Sequence, residues 1–196
     1  MSEAVPLVCI CGPSAAGKTT FAAHLAAQLR ARGRNPLLIA CDDYYRSGWS
    51  PNSRYGFDTV DAIDADQLRL QLSAVRYRQL SSLRSYDMRS RKVGSRALNQ
   101  PYDLVLVEGS YGPQHLLQAM PISLVVYLET PLLQRLVKRL WRDVRERQRP
   151  AWYVVRQMLR EMLPGERRFI HPLKRRADMV VQGYNWDIEP VLSRIE

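Results

Sequence analysis

Apolar residues alternate along the chain between short unbroken runs and stripes at helical spacing. Leu7-Val8-Cys9-Ile10-Cys11 is a run closed by Gly12, which predicts a strand buried on both faces. From Thr20 to Arg32, Phe21, Leu25 and Leu29 recur at helical spacing, and Gly33 follows a basic last turn as helix ends do. Leu37-Leu38-Ile39-Ala40 predicts a second strand, with Cys41-Asp42-Asp43-Tyr44-Tyr45-Arg46 just past its C-terminal end. Asp64-Ala65-Asp66 opens a helix carrying Leu68, Leu72 and Val75, its acids suited to the helix dipole. Leu83 to Val93 reads as a small hairpin. Asp103 to Val107 and Ser123 to Leu128 predict two more strands, ending at Glu108-Gly109 and Glu129-Thr130. Pro131 to Arg149 predicts a helix with Leu133, Leu136, Val137, Leu140 and Val144 as its apolar stripe, followed by a second helix from Ala151 to Leu163. Met179-Val180-Val181-Gln182 is a last short strand before a C-terminal segment containing Ile188, Val191, Leu192 and Ile195.

Strands alternating with helices, with the strands apolar throughout, define the expected fold class. It is α/β, a parallel sheet flanked by helices on both faces. The 196 residues suit one compact domain, 1–196, without repeats or linkers. No apolar run approaches the ~20 residues of a membrane span. Met1-Ser2-Glu3-Ala4-Val5-Pro6 lacks the basic start of a signal peptide, so a cytoplasmic location is expected. Cys9, Cys11 and Cys41 have neither metal-ligand nor redox spacing and read as small core side chains. The net charge of +10 calls for acidic partners, and the basic residues concentrate between Arg135 and Arg176.

The chemistry begins at Gly12-Pro13-Ser14-Ala15-Ala16-Gly17-Lys18-Thr19, a match to G-x-x-x-x-G-K-[ST] between a strand and a helix. In such a P-loop, backbone N–H groups wrap the phosphates of a nucleotide and the helix N-terminus adds its dipole. Lys18 reaches the outer phosphates, and the Thr19 hydroxyl faces Mg²⁺. Glu108 ends an apolar strand where a metal-associated carboxylate is needed. Transfer to a hydroxyl is helped by a base, for which Asp42 and Asp43 are rivals. On the helix from Pro131, Arg135, Lys138, Arg139, Arg142, Arg145 and Arg149 recur opposite the apolar stripe, partly relieved by Asp143 and Glu146. That basic face is a solvated surface, a lid over phosphates or a nucleic-acid footprint.

An ordered set of segments runs along most of the chain. It comprises the P-loop through Thr20, Asp42-Asp43-Tyr44-Tyr45-Arg46 and Phe57-Asp58-Thr59-Val60-Asp61-Ala62-Ile63-Asp64. It continues with Tyr86-Asp87, Val107-Glu108-Gly109, Arg139-Leu140-Trp141-Arg142-Asp143, Glu146-Arg147-Gln148-Arg149 and Phe169-Ile170-His171-Pro172. In order and spacing this set resembles the uridine kinase and phosphoribulokinase family of P-loop kinases. The resemblance implies a kinase that moves the γ-phosphoryl group of ATP to a hydroxyl of a nucleoside-like acceptor. It makes Asp42 the base, with Lys18 and Arg142 beside it in catalysis. The implied ATP site comprises Gly12, Ser14, Ala15, Ala16, Gly17, Lys18, Thr19 and Thr20, with Arg139, Arg147 and Arg149 closing from a helical lid around 139–150. Asp42, Tyr45, Asp58, Tyr86, Arg142 and Gln157 are implied for the acceptor, and Thr19, Glu108 and Asp42 for Mg²⁺.

Departures lie on the acceptor side. Family members usually show Y-D-F-x-x-H-x-R, where this chain has Tyr86-Asp87-Met88-Arg89-Ser90-Arg91 and no pyrimidine-reading histidine. Glu108-Gly109 continues as Ser110-Tyr111-Gly112-Pro113 in place of an apolar run. His115 is a candidate replacement contact, against the plainer reading of an incidental loop histidine. Kinases for pantothenate, nicotinamide riboside, a sugar phosphate or a nucleoside antibiotic are the alternatives within the fold, and a P-loop nucleic-acid-binding protein is the alternative outside it. The resemblance favours a lid over a nucleic-acid face. No membrane partner is expected, and a homo-oligomer is compatible with the sequence.

Overall fold

Period-two alternation within each strand sorts its apolar residues onto two faces. In β1 (Leu7–Cys11), Leu7, Cys9 and Cys11 join one buried cluster while Val8 and Ile10 join another. Two-sided burial is why the run has no polar break. A computed structural model of the chain describes residues 4–184 and 186–195. Met1-Ser2-Glu3, on which the expectation about a signal peptide partly rests, lie outside the described residues.

Five parallel strands form the sheet in the order β2-β5-β1-β6-β7, with β2 at Pro36–Ala40, β5 at Leu104–Gly109, β6 at Leu124–Glu129 and β7 at Met179–Gln182. Helix α1 (Lys18–Ala31) covers one face with Phe21, Leu25 and Leu29, all at 0% exposure. Each such burial stabilises by roughly 1.5–3 kcal/mol. A C-terminal helix, Glu189–Ile195, adds Val191 and Leu192 to the same cluster. The other face is covered by α2 (Ala65–Arg76), through Leu68, Leu72 and Val75, and by α3 (Pro113–Ala119), through Leu116. Asp64 caps α2 by accepting the Gln67 N–H at 3.3 Å. The expected hairpin is β3 (Ser82–Asp87) with β4 (Lys92–Ala97), paired antiparallel apart from the main sheet.

The three cysteines are free and buried, as expected of core side chains. Burial pushes the Cys11 thiol up to about 12 and those of Cys9 and Cys41 well above their usual value, which makes them unreactive. Among the described residues, no helix is long and apolar enough to cross a membrane.

Three expectations are corrected. The helix from Pro131 is shorter: α4 spans Leu132–Arg145, and the chain turns at left-handed Gln148 (φ 54°) with Arg149 N–H returning to the Asp143 carbonyl. Its inward face is not the apolar stripe. Leu133 and Val137 are 77% and 67% exposed, whereas Arg135, Arg139 and Asp143 are buried. Leu136, Leu140 and Val144 pack on a satellite cluster of Val154, Met158 and Met162, so α4 leans on the next helix while its charged face turns to the P-loop. That next helix does not end at Leu163. From α5 (Ala151–Gln157) it continues through π-helical Met158–Met162, a turn at Leu163–Gly165 and π-helical Glu166–Ile170 into a 3₁₀ segment, His171–Arg176. The wide turn in which Leu163 N–H reaches the Met158 carbonyl carries the helix past Pro164, which has no N–H to give. Finally, His115 lies in α3 rather than in a loop, and its Nε2 sits 3.1 Å from the Val60 carbonyl. It is structural and is not among the residues that line the cavity described next.

Candidate active site

β1 delivers the chain into the P-loop, and Gly17 turns it into α1. Gly17 has φ +91°, and a Cβ there would come within 2.9 Å of the Trp186 ring. Only glycine meets both demands. Lys18 then places Nζ 2.9 Å from the Pro13 carbonyl and 2.7 Å from Ser110 Oγ, donating to both. Burial pushes the Lys18 pKa down, opposed by the charges of Glu108 and Asp42. Thr19 Oγ1 donates to Glu108 Oε1 at 2.8 Å, joining α1 to the end of β5. Burial pushes the Glu108 carboxyl up, with Lys18 opposing. The cationic and anionic poles of a phosphate site thus meet at the C-terminal edge of the sheet, where β1 and β5 run side by side.

Asp42 and Asp43 have separate fates just beyond β2. Asp43 Oδ1 accepts the Tyr86 N–H at 3.1 Å, and its carbonyl accepts from Arg84 Nε at 3.0 Å, so it anchors the hairpin. Asp42 is exposed and lines the cavity. The anchored hairpin brings Tyr86 to Tyr45, with ring centroids 5.9 Å apart, as a wall beside Asp42.

Opposite stands α4. Arg139 meets Asp58 through two contacts of 3.2 Å and donates from Nη1 to Ser14 Oγ at 3.1 Å. Arg142, Arg147 and Arg149 converge with Arg139 on Asp143, at 3.1, 3.4, 3.8 and 3.8 Å respectively. Asp143 is 0% exposed, and its single carboxylate holds four guanidinium groups on the cavity wall. Gln157 accepts from Arg149 and donates to Glu161.

These elements enclose a cavity of about 630 Å³. Every residue that the resemblance implies for the site lines it except Gly12 and Ala16, which are buried within the loop. Sequence reasoning assigned no site role to Ser110, Tyr111, Phe57, Met88, Arg91 and Lys138, which stand on the same walls. Ser110 and Tyr111 carried a signal, being polar where the family pattern is apolar. Tyr111 Oη is buried without a hydrogen-bond partner among the described residues, and burial pushes its pKa well above the usual value. Behind the cavity, Arg135 was read only as one charge of the basic helix face, and Glu166 was missed. Glu166 is the sole acid between Leu163 and Arg176, which was its only mark in the sequence.

A phosphate cradle and an exposed carboxylate facing each other across one cavity, on a parallel sheet wrapped by helices, define a P-loop phosphotransferase. The sequence pattern described as Phosphoribulokinase / Uridine kinase family matches residues 7–187, and the chain belongs to that family. A uridine kinase of Lactobacillus helveticus is 29% identical over 182 residues, covering 89% of this chain and 85% of that one. Two solved structures share the fold. A possible uridine kinase from Bacillus stearothermophilus has TM-score 0.62 and 20% identity, covering 92% of this chain and 90% of that one. A phosphoribulokinase from Rhodobacter spheroides has TM-score 0.67 and 17% identity, covering 92% and 71%. The chain is therefore a small-molecule kinase that uses an alcohol group as acceptor.

Proposed function

We propose that the protein transfers the γ-phosphoryl group of ATP to a primary hydroxyl of a nucleoside-like acceptor, with Asp42 as the base. The observation that carries this reading is the division of labour between Asp42 and Asp43. One carboxylate is committed to the hairpin, while the other stands exposed in the cavity that Lys18, Thr19 and Glu108 also line.

Lys18 offers a buried cation to the transferred phosphoryl group, and the P-loop N–H groups hold the phosphates. Asp42 takes the proton as the acceptor oxygen bonds to phosphorus, and the bond from phosphorus to the bridging oxygen breaks to leave ADP. Asp58, Tyr45, Tyr86 and Gln157 bind the acceptor, with Arg142 at its edge. Arg139, Arg147 and Arg149, on a lid spanning about 139–150, close on the phosphates and exclude water. Thr19, Glu108 and Asp42 are a donor set that fits Mg²⁺ arriving with the nucleotide. Among the described residues no three His, Cys, Asp or Glu side chains cluster to hold a metal alone. When bound, the ion neutralises charge on the phosphate oxygens.

The relatives' uridine kinase name supports a nucleoside, whereas the missing hairpin histidine leaves room for another hydroxyl compound. Inward placement of Arg139, Arg142, Arg147 and Arg149 argues against a nucleic-acid role, because their charge is turned to the cavity and to Asp143. The test is an acceptor panel with Mg-ATP, read by mass spectrometry, spanning nucleosides, sugars, sugar phosphates and vitamin alcohols. A phosphorylated nucleoside is the expected product. ATP left unconsumed with every member would overturn the kinase reading, and turnover of a non-nucleoside alone would overturn the acceptor assignment.

A further inference from the structure

Ser14, inside the P-loop, is tied at three of its atoms. Its N–H donates to Glu166 Oε1 at 2.9 Å, its carbonyl accepts from Arg135 Nη1 at 3.1 Å, and its Oγ accepts from Arg139. Arg135 Nη1 also lies 2.8 and 3.0 Å from the two Glu166 oxygens, and its Nε donates to the Thr130 carbonyl at 3.1 Å. Glu166 and Arg135 are 1% and 5% exposed, and neither lines the active-site cavity. One desolvated ion pair therefore grips both backbone groups of a single loop residue from behind.

A buried carboxylate beside a loop built to receive phosphate is electrostatically adverse unless it is neutralised. Arg135 supplies that neutralisation. What the pair provides is direction: the carboxylate fixes the Ser14 N–H in the Pro13–Ser14 peptide, and Arg135, on the Ser14 carbonyl, fixes the peptide that leads into Ala15. Ala15 is left-handed at φ +59°, a conformation that a residue with a Cβ holds only when its surroundings impose it. The same pair joins the first turn of α4 to the π-helical turn of Glu166–Ile170, so the loop's shape is tied to the two helices that flank the cavity.

We propose that Glu166, acting through Arg135 and Ser14, is a positioning residue that holds the P-loop in its phosphate-receiving shape. Glu166 touches no substrate. The inference rests on the reading of the cavity as an ATP site, and it assigns to Glu166 an effect on the donor and not on the acceptor.

Glu166→Gln keeps the side-chain shape but turns an NH₂ group toward the Arg135 guanidinium. Its Kd and KM for Mg-ATP are expected to rise about ten-fold or more, the scale of losing a charge-assisted hydrogen bond. The KM for the acceptor should stay within about two-fold, because that side does not depend on the clamp. Arg135→Lys keeps the charge but loses the planar fork, and should move the same constant in the same direction. The double variant should lose no more than the worse single one, since both act on one contact. If Glu166→Gln lowered only the folded fraction, the number of active sites would fall while the ATP KM stayed at the wild-type value. That result would overturn the inference. If Glu166→Gln does not fold, Arg135→Lys decides in the same way, an unchanged ATP KM again overturning it. Wild-type protein that binds no Mg-ATP would refute the kinase reading itself. Wild-type binding matched by an equally tight variant refutes only the clamp.

Discussion

Arg139 and Asp58 face each other in a two-pronged ion pair, Nη1 to Oδ1 and Nη2 to Oδ2, both 3.2 Å, with neither side chain as much as a tenth exposed. Burial works against the Arg139 charge, but Asp58 and Asp143 outweigh it and raise its pKa. Removing one partner of such a pair strands the other. Asp58→Asn should therefore cost stability near the low end of about 3–5 kcal/mol, because Asp143 still faces Arg139 Nε. Urea unfolding measures that loss, and a variant as stable as wild type would show that the pair is not closed in solution. The acceptor KM should rise with it, while ATP should bind more tightly, because Asp58 no longer engages Arg139.

The same pair couples the two substrates. Asp58 is proposed to hold the acceptor and Arg139 the phosphates, yet in the empty site each is engaged by the other. A nucleotide that draws Arg139 away frees the Asp58 carboxylate for the acceptor's hydroxyl groups, and an acceptor frees Arg139 in turn. Acceptor affinity measured by calorimetry should increase about five-fold or more when a non-hydrolysable ATP analogue saturates the protein. Reciprocity requires the same factor for the analogue. Independent binding of the two would show that the pair does not open.

Asp42→Asn tests the base directly. Losing a positioned proton acceptor should lower kcat about 10²–10⁴-fold, with ATP affinity nearly intact. Asp43→Asn should behave differently, since that carboxylate holds the Tyr86 N–H and Arg84 grips the backbone nearby. Its expected mark is a raised acceptor KM with a smaller change in kcat. If the two variants exchanged these signatures, the assignment of the base would move to Asp43.

Strands and cradle were legible because local rules fix them. Apolar runs, a glycine turn and G-x-x-x-x-G-K-T leave few alternatives, so β1, β5, β6 and β7 fall within a residue or so of the expected runs. Side-chain burial on α4 was not legible. A stripe of Leu133 and Val137 opposite arginines obeys the usual amphipathic rule, and the rule fails because this helix faces a phosphate site rather than the core. Arg135 and Arg139 are buried there because Glu166 and Asp58, 31 and 81 residues away, neutralise them, and no periodicity reveals such a pairing. Glu166 was invisible for the same reason. The end expected at Leu163 was wrong for another reason, since π-helical turns on either side of Pro164-Gly165 carry the helix on to Ile170.

Gly165 serves close approach. A Cβ at this position would run into the Asp58 carbonyl and lie 2.9 Å from Tyr111 Oη, so the helix can pass this wall of the cavity only without a side chain. Gly165→Ala forces that wall apart. The expected cost is about 1–3 kcal/mol of stability from overpacking. A raised acceptor KM should accompany it, because Asp58 and Tyr111 both line the cavity. Helix propensity alone predicts the opposite sign, as alanine exceeds glycine by about 1 kcal/mol in a helix interior. A stabilised variant would therefore show that propensity outweighs the contact.

Glu108, proposed to support the metal, bears a cost in folding that pH can expose. Burial raises its carboxyl above the ordinary 4.5, and the attraction of Lys18 is already included in that balance. The folded state therefore holds the proton more tightly than the unfolded chain does. As pH rises through 4.5 the unfolded chain ionises first, so stability falls until the folded carboxyl has ionised too, and it stays lower at neutral pH. Glu108→Gln removes the cost of ionising a buried carboxyl. Without nucleotide, the variant should melt above wild type at about pH 7, and the difference should close as the pH is lowered toward 4.5 and below. Turnover should move the other way, falling about 10²-fold or more as the carboxylate proposed to support Mg²⁺ is lost. Thermal melts across pH together with Mg²⁺ titrations of the rate would check both arms. A variant less stable than wild type at neutral pH would mean that the Glu108 carboxylate, with Thr19 and Lys18 beside it, is a net support of the fold.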